Sequence, residues 1–218
     1  MFTSARILLC VLLMGALLPL SADISFTLGG SNCPPAGICT SVVGATTIDF
    51  DGELGTLTPY TSGLARYTWS GGGSPFVSGS AASYAAPPGD ATTYLTVGST
   101  SPLPSTVSID FSQPLRYFGF YMGSPDLYNI VVLKDGVEIK VWDETDFYSG
   151  ANGNQTIGRY VNFFATNGQS FDQVIMTSTQ AAFETDNHAY AAVPEPASIL
   201  GLGTILFLLG SRLRRRRA

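Results

Sequence analysis

The chain predicts an all-β fold, an antiparallel β-sandwich of jelly-roll type, and three observations carry that expectation. Its central part is rich in Gly, Ser, Thr and aromatic residues and poor in Lys, Glu and Leu, which favours strands over helices. Apolar residues alternate there instead of recurring at helical spacing, as in Val107, Ile109 and Phe111, in Phe118, Phe120 and Met122, and in Val174 and Met176. Each set marks the buried side of a strand. About ten such segments follow one another at a spacing of about 8 to 12 residues, with turn residues between them and no crossover helices. That pattern favours two sheets packed face to face, with a closed barrel as the alternative.

In chain order the expected strands are Thr46–Phe50, Ala65–Trp69, Thr93–Val97, Thr106–Phe111, Arg116–Met122, Tyr128–Lys134, Val137–Trp142, Arg159–Phe164, Phe171–Thr177 and Ala181–Phe183. The clearest local feature is a hairpin in which Tyr128–Lys134 and Val137–Trp142 flank Asp135-Gly136, a dipeptide that accepts the positive φ angles of a type I′ turn. Gly71-Gly72-Gly73-Ser74 and Pro87-Pro88-Gly89-Asp90 read as loops. Neither has the strand, lysine and following helix of a phosphate-binding loop.

The two ends differ from this middle. Met1 to Arg6 carry one positive charge, Ile7 to Leu18 are almost wholly apolar, and small residues follow at Ser21 and Ala22. This is the layout of a secretory signal peptide, with cleavage expected between Ala22 and Asp23 by signal peptidase. At the far end Ala197 to Gly210 are apolar, and Arg212, Arg214, Arg215, Arg216 and Arg217 close the chain. About 14 helical residues rise roughly 21 Å, short of the ~30 Å hydrocarbon core, so such a helix holds a membrane only marginally. The arginines favour the cytoplasmic side, leaving everything before the segment outside the inner membrane.

Just ahead of that segment stands Val193-Pro194-Glu195-Pro196. Its two prolines hold an extended backbone suited to a protease groove. Motif, apolar segment and basic cluster together resemble the PEP-CTERM sorting signal of Gram-negative bacteria. The resemblance implies recognition by an exosortase, removal of the tail, and delivery to the cell surface or extracellular matrix. The Leu-Pro-x-Thr-Gly head of a Gram-positive sortase signal is absent. The expected organisation is thus a signal peptide at 1–22, one β-sandwich domain at 23–188, a linker at 189–193 and the sorting segment at 194–218.

Between Asp23 and Val193 five basic residues face fifteen Asp and Glu, a formal charge of −10. Nucleic acid is therefore excluded as an expected partner, because phosphate binding needs clustered Lys and Arg. Cations and neutral glycans, exopolysaccharide among them, remain. Cys33 and Cys39, exported into an oxidising compartment, are expected to pair. Such a bond contributes about 2 to 3 kcal/mol in the loop-entropy picture.

Chemistry has few candidate residues. The only histidine is His188, and no nucleophile elbow precedes a helix, so a hydrolytic triad is not expected. Asp143, Glu144 and Asp146 crowd the end of one strand. With Glu184 and Asp186 they define the alternative function, a secreted carbohydrate-active hydrolase using paired carboxylates. Gly123 to Asn129 and Phe183 to His188 gather hard oxygen ligands and resemble segments recurrent in exosortase-dependent surface proteins. Asp126, Asn129, Glu184, Asp186 and Asn187 are candidate calcium ligands if the two loops converge; their other reading is Asx turns and hairpin caps. Trp69, Tyr84, Tyr94, Tyr121, Tyr128 and Trp142 offer faces for a glycan or for core packing. The expected function is binding or structural work in or near an exopolysaccharide layer.

Mass spectrometry of the protein taken from its own cells should find Asp23 as the first residue, Cys33 bonded to Cys39, and no arginine tail. Native material that keeps Arg212 to Arg217 in the inner membrane would contradict the sorting expectation.

Overall fold

The computed structural model describes residues 23–71, 73–100 and 102–194. The expected signal peptide with Ala22, the motif residues Glu195 and Pro196, the apolar segment and the arginines from Arg212 to Arg217 lie outside the described residues. Among the described residues no helix is long and apolar enough to cross a membrane.

The strands in chain order are β1 (Asp23–Leu28), β2 (Ser31–Asn32), β3 (Ile38–Cys39), β4 (Thr46–Ile48), β5 (Tyr60–Ser62), β6 (Ala65–Trp69), β7 (Phe76–Ser78) and β8 (Thr93–Val97). There follow β9 (Ser105–Gly123), β10 (Asn129–Asp135), β11 (Val137–Asp143), a single helical turn α1 (Glu144–Phe147), β12 (Gly158–Thr166), β13 (Phe171–Ser178) and β14 (Phe183–Ala192). The protein is therefore mostly antiparallel β-structure with a sandwich-like arrangement, as its composition and alternation predict.

One strand organises it. The first part of β9 pairs with β6 on one side and β13 on the other, and β13 continues through β10 to β11. Its second part pairs with β12 and β14, β12 carries β1, and the other edge of β14 is shared by β8 and β4. Ser112, Gln113 and Pro114 mark the corner between the two parts and are exposed; proline has no N–H for a ladder, which suits it to such a break. The two strands expected at Thr106–Phe111 and Arg116–Met122 are thus one bent strand serving both sheets. Sequence shows only the interruption of the apolar pattern at the bend.

The core between the sheets is aromatic. Val107, Ile109, Phe118, Phe120, Met122, Val174 and Met176 are all buried, as their alternation predicts. Phe120 lies with its ring centroid 6.0 Å from both Phe163 and Phe183, and Trp142 packs 4.6 Å from Phe163. Tyr117 and Tyr121, on the other face of β9, are buried too. Loops cover that second face, and the candidate site lies there.

Three expectations are corrected. The last strand does not occupy Ala181–Phe183 but begins at Phe183 and runs to Ala192, so the stretch 189–193, expected as a linker, is almost all strand. Ala189 and Ala191 are buried against Tyr117 beside Val42 and Ala45; the alanines are small because a ring and a loop press on them, not because the chain is free there. The hairpin joining β10 and β11 is present, but only Gly136 has positive φ, at 66°. A register shift at Leu133/Lys134 accommodates the turn, so it is not type I′, which needs both central residues in that region.

Phe120→Ala should cost about 3 to 5 kcal/mol in denaturant unfolding, from lost apolar burial and the cavity left behind. A cost below about 1 kcal/mol would mean that the sheets do not pack through this ring.

Candidate functional site

The site is built on β14, whose residues alternate between two environments. Phe183 and Thr185 point into the core, so Glu184 and Asp186 point to the opposite face. Asn187 then takes positive φ, 49°, and the pairing with β9 slips between Asp186 and Ala189. This bulge turns Asn187 outward and returns His188 to the core; asparagine tolerates the left-handed region better than most residues. His188 packs edge-on to Phe50 and Phe118, with Nδ1 3.1 Å from the Tyr67 hydroxyl and Nε2 2.9 Å from Thr185 Oγ1. Burial holds it neutral, its pKa lowered to about 3. The chain's one histidine is a core residue, out of reach of any substrate.

On the outer face the acids are roofed by loops. Glu184 Oε1 accepts the Ala85 N–H at 3.0 Å. Glu144, the first residue of α1, turns inward, and its Oε2 accepts the Asp126 N–H at 2.6 Å and the Asn129 side-chain amide at 2.9 Å. Asp126 Oδ1 in turn accepts the Tyr128 N–H at 2.7 Å, an Asx turn. The Asn152 and Gly153 N–H groups both reach Pro125 O at 2.9 Å, and the Thr179 N–H reaches Tyr128 O at 3.2 Å. Segments 124–129, 151–153 and 179–184 are thereby tied into one end of the sandwich.

Burial raises the pKa of Glu184, Asp126, Glu144 and Asp186. Glu184 is pushed up to about 8 by desolvation, with the Asp126 charge adding to it and the Ala85 N–H opposing it. Asp126 is raised by desolvation against the Tyr128 N–H, and Glu144 is raised well above the carboxylate range. Asp186 reaches about 9 through desolvation and then the neighbouring Asp90. The Thr92 hydroxyl lies between those two aspartates, 2.6 Å from Asp90 Oδ1 and 3.3 Å from Asp186 Oδ2.

The sequence's candidate sets are regrouped by this geometry. Of the five expected calcium ligands, Asp126, Asn129 and Glu184 belong to one neighbourhood. Asp186 belongs with Asp90 and Thr92. Asn187 donates to Ala36 O at 2.6 Å and Ile38 O at 3.2 Å, holding the loop closed by the Cys33–Cys39 disulfide, which is formed as expected. Among the described residues no three His, Cys, Asp or Glu side chains gather as a metal centre. The hydrolase acids separate as well. Asp143 and Asp146 form the capping box of α1, while Glu144 beside them is fully buried. Glu144 was legible only as one acid in a crowd; its inward turn depends on Asp143 taking the cap.

Two recesses adjoin here. A cavity of about 110 Å³ is lined by Tyr84, Ser124, Asp126, Gln155 and Glu184, among others. A cleft of about 380 Å³ is lined by Asp126, Leu127, Tyr128, Asn152 and Ala181. Asp126 belongs to both. Of the six aromatic candidates Tyr94, Tyr121 and Trp142 are buried, Tyr84 walls the small cavity, and the Trp69 indole donates to Gly73 O at 2.8 Å and packs on Phe76. Tyr128 alone is open, 39% exposed at the cleft.

No family model and no curated protein matches the chain. Among solved structures it is similar to a mutant of CBM29-2, a family 29 carbohydrate-binding module, at 10% identity and TM-score 0.28, over 77% of this chain and 91% of that one. It is also similar to GH31 CBM32-2 bound to GalNAc, at 10% identity and TM-score 0.30, over 80% of this chain and 100% of that one. At such TM-scores the likeness does not extend to the site.

The raised carboxylates set a pH dependence. Above the unfolded carboxylate range near about pH 4, the folded chain keeps protons that the unfolded chain has lost, so stability falls as pH rises. The fall ends as pH passes about 8 for Glu184 and about 9 for Asp186. His188 acts oppositely, lowering stability as pH drops below about 6.5. In metal-free buffer the thermal midpoint should therefore decline from about pH 6.5 to 9, and Asp186→Asn should shallow that decline. A flat wild-type profile across the window would contradict the buried acid layer.

Proposed function

We propose that this is an exported surface or matrix protein, processed by exosortase, that binds a neutral glycan of the exopolysaccharide layer through the Tyr128 cleft. The observation that carries the binding role is the exposed Tyr128 beside Asp126 and Asn152 in a cleft of about 380 Å³. An aromatic face with an adjacent amide and carboxylate is what stacking on a sugar ring and hydrogen bonding to its hydroxyls require. The charge of the exported part, five basic against fifteen acidic residues, favours a neutral sugar over an acidic one.

Sorting rests on the tail motif. It is supported by the way the domain ends: the Val193 N–H still donates to Pro114 O at 2.8 Å, while Val193 is 40% exposed and Pro194 is exposed. The first motif residues thus leave the domain surface accessible to a protease. We read the sandwich as jelly-roll in type because β12, β13 and β14 cross between the sheets in turn. The role assigned is binding, since Asp143 and Asp146 serve the helix cap and His188 sits in the core.

Tyr128→Ala should weaken binding to the organism's own exopolysaccharide about tenfold or more, in line with one aromatic contact of about 1.5 kcal/mol, with little change in the thermal midpoint. Equal retention of wild type and variant on that polysaccharide would remove the cleft as the binding site.

A further inference from the structure

We propose that the small cavity beside the cleft is a calcium site in which Asp126 and Glu184 supply the charged ligands and Ser124 and Gln155 neutral oxygens. It differs from the five-residue set read from sequence by losing Asn129, Asp186 and Asn187 and gaining Ser124 and Gln155. Its cation affinity does not rest on the glycan reading.

Four features support it. The first is unmet oxygen: Glu184 is 2% exposed and Ser124 6%, and among the described residues Glu184 Oε2 and Ser124 Oγ have no hydrogen-bond partner. A buried oxygen without a partner is costly, and costlier on a carboxylate. The second is size. A space of about 110 Å³ holds an ion with a few waters, each water taking about 30 Å³. The third is charge: Asp126 and Glu184 share the wall, and neither Lys nor Arg is among the lining residues. The fourth is ligand chemistry. The lining offers hydroxyl, amide, carboxylate and loop-backbone oxygens and no His or Cys, a hard set that suits calcium, whose irregular coordination loops can follow, better than zinc or strictly octahedral magnesium.

With only two carboxylates the affinity should lie near the range of extracellular calcium modules, about 10⁻⁴ to 10⁻³ M. Protons compete for the same oxygens. The groups that face the site are Asp126 and Glu184 themselves, Tyr84 on the wall, Tyr94 beyond Glu184, and Glu144 behind the Asp126–Asn129 loop. Asp186 lies further along β14, with Asp90 of the covering loop beside it.

Calorimetry with CaCl2 on EDTA-treated protein tests this. At about pH 8 one site should appear in the stated range. Saturating calcium at the same pH should raise the thermal midpoint by about 3 to 6 °C. Glu184→Gln should abolish the response while its metal-free midpoint at that pH equals or exceeds wild type; should that variant fail to fold, Ser124→Ala, which keeps the charge, should weaken binding several-fold. No heat and no shift at pH 8 overturns the proposal. So does a full response in Glu184→Gln, which would mean adsorption to the acidic surface. Tyr128→Ala should keep the calcium response, so a failure of glycan binding alone leaves the site standing.

Discussion

The structure depends on carboxylates buried on the outer face of β14 and around it. Each carries a loop: Glu184 receives Ala85, Glu144 receives Asp126 and Asn129, and Asp126 receives Tyr128. A buried carboxyl that accepts backbone N–H groups orders a loop well, but its second oxygen is left in a low-dielectric setting. There it must keep a proton, find a cation or destabilise the fold. The unmet oxygens of Glu144, Glu184 and Asp186 are the mark of this conflict. Among the described residues no carboxylate is buried between the sheets, where rings pack on rings.

The sandwich makes the conflict unavoidable at this end. Because β14 contributes Phe183, Thr185, His188 and Tyr190 to the inner side, Glu184, Asp186 and Asn187 face outward, and loops 79–92 and 33–39 close over them. Tyr121 adds its hydroxyl to Pro88 O at 2.5 Å, and Ala91 N–H reaches Pro35 O at 2.8 Å. The Asn187 bulge keeps both patterns in phase, feeding the disulfide loop on one side and the aromatic core on the other. Fold and site are thus written into the same ten residues.

The inner half of this arrangement was legible in the sequence and the outer half was not. Val107, Ile109, Phe118, Phe120, Val174 and Met176 alternate plainly, because one side of each strand must be apolar. The Cys33–Cys39 pair followed from spacing and from the oxidising compartment expected of an exported chain. The extent of β14 was hidden because Glu184 to His188 is polar and Ala189 to Ala192 is alanine-rich around the single Tyr190, and both look like loop until the covering segments are seen. The union of two strands in β9 was hidden by its exposed corner. Which aromatic stays open was beyond reach of pattern alone, because Tyr121 stands on the outer side of its strand and is buried only by the loop whose Pro88 O accepts its hydroxyl.

The account stands or falls on the charge state of the layer beneath the cleft. Carbon-13 titration of the side-chain carboxyls in metal-free protein reads it directly. The Glu184 carboxyl should titrate with a midpoint of about 8, and added calcium should ionise it at neutral pH. A midpoint in the ordinary glutamate range near about 4.3, with no response to calcium, would mean that these acids are solvated and the loops are held by something else.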